Sequence, residues 1–191
     1  KNITVYAGSA DNLSQEYLDG AWKLGETLAK QGRRIYYGAG KTGLMGALAD
    51  GALASGGEVI GLINDGLNLP HLVHSGLSGM ETVLDIHARQ ARLNELADAM
   101  IALPGGFGTF AELFEALTWE QIGLHSKPIG ILNLSGYFDP TIAMIDNAID
   151  KHFVYAEHRR FFFVSEHPEE LLEMLDNFTP HQGVNRWMER P

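Results

Sequence analysis

The chain has 191 residues, 45% of them apolar and 20% charged, which suits one domain around one sizeable core. Fourteen Lys and Arg against 24 Asp and Glu give a formal net charge of −10, which excludes a broad basic face for gripping nucleic acid; any phosphate must be held locally, by backbone N–H groups and a few placed cations. The absence of cysteine excludes disulfides, thiolate metal sites and Cys nucleophiles, and with no apolar stretch near the roughly 18–20 residues of a membrane span and no signal-peptide pattern, a cytoplasmic protein is expected.

Ile3-Thr4-Val5-Tyr6 reads as a first strand, followed by a helix from Gln15 to Lys30 with Tyr17, Ala21, Leu24 and Leu28 on one stripe. Arg34 to Tyr37 is a second strand. The turn Gly38 to Gly43 leads into a helix from Leu44 to Ala54, closed by Gly56-Gly57. Glu58 to Ile63 is a third strand. Asn64 to Gly79 is irregular, the kind of loop that carries substrate contacts. A short strand at Glu81 to Val83 and a helix from Asp85 to Ala97 follow. Met100 to Leu103 is an apolar strand broken by Pro104-Gly105-Gly106, and Thr109 to Ile122 is helical. Pro128 to Leu132 is the last clear strand; helices from Pro140 to Lys151 and Pro168 to Asn177 complete the chain. This alternation predicts an α/β fold: a doubly wound, Rossmann-like parallel sheet with helices on both faces, in a single domain over 1–191. Ligands of such sheets bind beyond the carboxyl ends of the strands, where the loops Gly8-Ser9-Ala10, Gly38 to Gly43 and Pro104 to Thr109 gather.

Gly38-Ala39-Gly40-Lys41-Thr42-Gly43 matches G-x-G-x-x-G between a strand and a helix, and Asp65 lies about where a ribose-binding acid is sought. The match follows the second strand, not the first. A P-loop is rejected, because Ile35 stands where its first Gly is required. Either the segment is a tight packing turn or its Gly40 and Gly43 form a backbone wall around part of a nucleotide; Met45 packs at its mouth, with a pocket-lining role as the alternative. Pro104-Gly105-Gly106-Phe107-Gly108-Thr109 is more informative. Its glycines let backbone approach an anion, and N–H groups at the following helix start favour a phosphate. Gly105, Gly106, Phe107, Gly108 and Thr109 are therefore candidate phosphate contacts, with Ser9 near the same pocket.

Two residues carry candidate chemistry. Thr109-Phe110-Ala111-Glu112 reads as a capping box, in which Glu112 only satisfies a backbone donor. The alternative is a carboxylate facing a sugar where positive charge develops. Arg89 and Gln90 fall on the apolar stripe of their helix, beside Ile86, Leu93 and Leu96. Arg89 is either a structural ion pair or a cation aimed into a site. The eight His give no metal spacing, so neither metal nor other cofactor is expected. No Gly-x-Ser-x-Gly elbow is present.

The motif P-G-G-x-G-T-x-x-E, complete at Pro104 to Glu112, resembles the hallmark of the LONELY GUY family of cytokinin-activating phosphoribohydrolases. Gly43-Leu44-Met45-Gly46, Ala7-Gly8-Ser9-Ala10, Leu117-Thr118-Trp119 and Lys127-Pro128 are similar to further family positions. The resemblance runs from the first strand to about Phe153. It implies hydrolysis of a nucleoside 5′-monophosphate, of cytokinin or plain adenine type, to free base and ribose 5-phosphate. It also implies Arg89 and Glu112 as the catalytic pair, Gln90 and Thr118 among the substrate contacts, and at least a dimer. Departures stand at Gln90, where the family's His-x-Arg-Lys has Lys, and at Ala39, within its Gly-Gly-Gly; Ala10, Ala111 and His71 also differ. The competing class is a non-catalytic ligand-binding protein similar to molybdenum-cofactor carriers. A pyridoxal-phosphate decarboxylase has little support, since no loop Lys is flanked by cofactor motifs.

Overall fold

A computed structural model describes residues 1–180. Seven strands form one parallel sheet: β1 (Asn2–Tyr6), β2 (Arg34–Tyr37), β3 (Val59–Asn64), β4 (Gly79–Val83), β5 (Ala99–Ala102), β6 (Ile129–Leu132) and β7 (Phe162–Ser165). Six α-helices connect or follow them: α1 (Gln15–Lys30), α2 (Gly43–Ala54), α3 (Ile86–Leu96), α4 (Phe107–Gln121), α5 (Asp139–Asp150) and α6 (Pro168–Asp176). The strand order is β4-β3-β2-β1-β5-β6-β7. The predicted doubly wound Rossmann-like sheet is therefore present, with one strand, β7, that the sequence reading lacked.

Two-residue alternation divides the strand side chains between two cores. On β1, Ile3 and Val5 join the cluster built with α1, α2 and α6; Tyr6 joins the cluster of α4 and α5. On β5, Ala99 and Ile101 face the first cluster, and Met100 and Ala102 the second. Tyr36 of β2 and Leu62 of β3 pack on Leu93 of α3. The strands between the two helix layers are buried on both sides, as a parallel sheet requires.

The site is located by the connection order. From β1 the chain steps outward to β4, then returns across the sheet to place β5 on the other side of β1. The loop after β1 runs to α1 on one face, and the loop after β5 runs to α4 on the opposite face. Their divergence opens a crevice at the carboxyl edge, the switch point of the sheet.

Candidate functional site

A cavity of about 700 Å³ occupies this crevice. Its walls come from four segments: Ala7 to Ala10 after β1, Gly38, Gly40, Thr42, Leu44 and Met45 around the second turn, Pro104 to Thr109 after β5, and Ile63 at the end of β3 with Leu67 and Leu72 beyond it. Leu13 and Tyr17 close one side, and Tyr137 another. Arg89 and Glu112 reach it from α3 and α4.

The loops are tied to each other by backbone. Gly8 N–H donates to Pro104 O at 3.0 Å, and Met45 N–H to Gly8 O at 3.1 Å. Thr42 Oγ1 donates to Ser9 O at 2.6 Å. Gly43 takes φ +58, and a Cβ there would lie 2.7 Å from Ala10 O, so both its conformation and its surroundings require glycine. Ala39, at a position where the resembling family carries Gly, takes φ 62 and is fully buried; an L-residue in this region is strained by about 1–2 kcal/mol. The segment after β3 folds back over this turn: Lys41 N–H donates to Leu72 O, and His74 N–H to Ala39 O. That fold-back places Leu67 and Leu72 on the cavity wall.

The start of α4 differs from its sequence reading. The helix begins at Phe107, and its N-cap is Gly106, which has no side chain to offer. Thr109 is the third helical residue, so Thr109 and Glu112 do not form a capping box; the glycines before them concealed the true start. The first N–H groups of a helix lack intrahelical partners, and Phe107, Gly108 and Thr109, which carry them here, line the cavity.

Glu112 lies on the buried face of α4, with 6% of its side chain exposed, and Arg89 faces it from α3 with 11% exposed. Arg89 Nη2 stands 3.4 Å from Glu112 Oε1, long for a charge-assisted hydrogen bond. Arg89 Nε is buried without a partner among the described residues. Burial pushes the Glu112 carboxyl up to about 7, against the lowering effect of Arg89, while the charge of Glu115 adds to the rise. Burial also raises Glu115, which His87 opposes. The Tyr6 phenol, wholly buried beneath them, is pushed well above its ordinary range by burial and by the charges of Glu112 and Glu115. At neutral pH, Glu112 therefore sits near the midpoint of its titration, the condition suited to general acid–base work.

Arg89 is held through its helix. Asp85 caps the start of α3, accepting from Ala88 N–H at 2.8 Å. The last four carbonyls are each met by a side chain: Leu93 O by Thr4 Oγ1, Asn94 O and Glu95 O by Lys127 Nζ, and Leu96 O by Asn2 Nδ2. The Arg on the inward stripe is thus carried by a helix fixed at both ends, although its neighbour Ile86 is 39% exposed.

Ser9, Gly40, Met45, Gly105, Gly106, Phe107, Gly108, Thr109, Arg89 and Glu112 are brought together on this cavity, whereas Gly43 is not among its lining and packs instead against the backbone of Gly8 to Ala10. Gln90 and Thr118 are not among its lining; Thr118 is exposed and donates to Phe114 O within its own helix. Asp65 opens an exposed turn and also does not line it. Tyr17 reads in the sequence only as part of the α1 stripe, and nothing there marks Tyr137; both line the cavity. Tyr137 follows Gly136 just beyond the carboxyl end of β6, a position that marks candidates in this fold. Among the described residues, no three His, Asp or Glu side chains are grouped so as to hold a metal, and no helix is long and apolar enough to cross a membrane.

A family model described as "Possible lysine decarboxylase" matches residues 45–175. The chain is 36% identical over 180 residues to the cytokinin riboside 5′-monophosphate phosphoribohydrolase LOG2 of Arabidopsis thaliana, covering 94% of this chain and 84% of that protein. It is 37% identical over 184 residues to the corresponding LOG enzyme of Oryza sativa subsp. japonica, covering 96% and 76%. The solved structure of a protein designated TM1055 matches with a TM-score of 0.74 at 25% identity, over 93% of this chain and 99% of that one. A molybdenum cofactor binding protein from Rippkaea orientalis matches with a TM-score of 0.70 at 22% identity, over 92% and 94%, a likeness of fold alone.

Proposed function

This chain belongs to the family of the cytokinin riboside 5′-monophosphate phosphoribohydrolases, and from that membership we propose that it hydrolyses the N-glycosidic bond of an adenine-type nucleoside 5′-monophosphate. The observation that carries the reading is a buried carboxylate, Glu112, and a largely buried guanidinium, Arg89, lining the same cavity as the uncapped start of α4.

The phosphate sits at the N-terminus of α4, held by N–H groups from Gly106 to Thr109 and favoured by the helix dipole. Ser9 and Gly40 complete the wall around the nucleotide, with Gly43 and Met45 beside them. Glu112 lies three residues beyond Thr109, about 4.5 Å further along the helix axis, which directs it to the ribose rather than the phosphate. As the bond from C1′ to the base breaks, its electron pair leaves with the base, and positive charge grows on the ribose. The ionised Glu112 opposes that charge and accepts a proton from the attacking water. The water oxygen bonds C1′, the departing base takes a proton from solvent, Glu112 returns its proton to solvent, and ribose 5-phosphate remains. Arg89 orients the nucleotide and keeps Glu112 ionisable. A phosphate charge about 8 Å away repels the carboxylate by roughly 2 kcal/mol at an effective dielectric constant of about 20, and a facing cation offsets this.

The protein acts on a small molecule, as a cytoplasmic homodimer or higher homo-oligomer. Exposed Leu84, Leu124 and Phe153 are consistent with assembly. Incubation with AMP and with N6-isopentenyladenosine monophosphate, followed by chromatography, should give free base and ribose 5-phosphate in equal amounts. Intact nucleotide after prolonged incubation with both would sink the proposal.

A further inference from the structure

Tyr137 has no part in the bond-breaking step, yet its hydroxyl reaches the phosphate-side loop. It donates to Gly105 O at 2.5 Å from the turn after β6. Its ring is fixed by three aromatic neighbours: Phe138 edge-on at 5.1 Å, Tyr17 edge-on at 6.0 Å and Phe110 stacked at 6.4 Å. Phe110 lies in the first turn of α4, so the same ring braces that helix start. The hydroxyl is therefore aimed rather than free to swing.

What it holds is the softest point of the cradle. Gly105 and Gly106 are consecutive glycines, and the peptide between them can rotate at little steric cost. Gly105 is nevertheless crowded: a Cβ there would lie 2.1 Å from Thr109 Oγ1 and 2.8 Å from Gly8 N, so no side chain can stiffen the loop from that position. In a planar trans peptide the C=O and the following N–H point in opposite directions. Fixing Gly105 O fixes the direction of Gly106 N–H. The Glu112 carboxylate, nearly all buried, lines the same cavity a short way along α4, so an error in the cradle becomes an error at the ribose.

We propose that Tyr137 is a positioning residue that locks the Gly105–Gly106 peptide plane, so that Gly106 N–H joins those of Phe107 to Thr109 on the substrate phosphate. This rests on the phosphoribohydrolase reading. It separates Tyr137 from a wall residue, whose hydroxyl would be dispensable.

Tyr137→Phe keeps every ring contact and removes only the hydrogen bond. Calorimetric titration of the full chain with ribose 5-phosphate and, separately, with adenine should show ribose 5-phosphate bound about tenfold more weakly by the variant, with adenine affinity unchanged. KM for AMP should rise by a similar factor while kcat falls less, and the melting temperature should move little. Wild-type binding of ribose 5-phosphate that survives the substitution intact overturns the assignment alone. Equal weakening for both ligands also overturns it, since that marks general loosening of the pocket. A wild-type protein that binds no ribose 5-phosphate and releases no base overturns the phosphoribohydrolase reading and this assignment with it.

Discussion

Arg89 and Glu112 face each other at 3.4 Å across the gap between α3 and α4, Glu112 buried and Arg89 largely so, and neither is locked by a short ion pair. A purely structural pair in such surroundings needs close geometry to repay its desolvation. This one leaves Arg89 Nε without a partner among the described residues and leaves the Glu112 carboxyl raised to about 7. The arrangement stores incomplete solvation of both groups at the edge of a cavity, where a substrate can complete it.

Arg89→Ala should therefore change the pH profile as well as the rate. Burial raises the Glu112 carboxyl and Arg89 opposes the rise, so removing the cation moves the titration further upward from about 7. The ionised form is the active one, and kcat/KM for base release in the wild type should climb with pH through about 7 and then level. In Arg89→Ala that limb should move to higher pH, with weaker nucleotide binding and lower turnover. Arg89→Lys should return the limb toward its original place. A limb that stays fixed in Arg89→Ala would show that Arg89 does not act on Glu112.

Lys127 tests how far the site depends on the helix that carries Arg89. Its ammonium meets two of the four terminal carbonyls of α3. Lys127→Met keeps the stem and removes the charge. Hydrogen bonds to charged groups contribute about 1.5–3 kcal/mol, so the melting temperature should fall by roughly 3–12 °C for a chain of this size. Turnover should fall with it at temperatures where the variant remains folded. Unchanged melting and activity together would remove Lys127 from the support of α3.

Much of this was readable in the sequence, for identifiable reasons. The strands β1, β2, β3 and β5 are apolar runs between clear breakers, and α1 has a regular stripe, so both emerge within a residue or two. Arg89 was visible as a cation on an inward-facing stripe. The start of α4 was misread because three glycines hide a helix whose cap is itself glycine. The strand β7 is absent from the sequence reading because Phe162–Ser165 is only four residues long and continues directly from a short 3-10 helix, Ala156–Phe161, with no Gly or Pro breaker to mark where the strand starts. Tyr137 was silent because its role is a contact with a backbone atom 32 positions away, and no local pattern encodes such a pairing.

Glu120 offers a stability test away from the reaction. It is 3% exposed, Oε2 has no partner among the described residues, and burial pushes the carboxyl from 4.5 up to about 8. The folded protein then binds this proton more tightly than the unfolded chain does. The resulting stability is full below about pH 4.5 and is lost as pH rises through about 8. Glu120→Gln removes the titration. Melting curves should place the variant close to wild type near pH 5 and above it near pH 8, by an amount on the order of 1–3 kcal/mol. A constant difference across that range would show that Glu120 does not titrate within it.

The most direct test of the site is base release and melting temperature measured side by side for the wild type and Glu112→Gln. The amide preserves size and can still bond Arg89, but it neither accepts a proton nor opposes positive charge on the ribose. A positioned acid–base group contributes about 10²–10⁴-fold, so turnover of AMP or N6-isopentenyladenosine monophosphate should fall by that order, with monophosphate binding and melting largely kept. Near-normal turnover in Glu112→Gln, accompanied by a lower melting temperature, would reduce Glu112 to a structural residue and contradict the account.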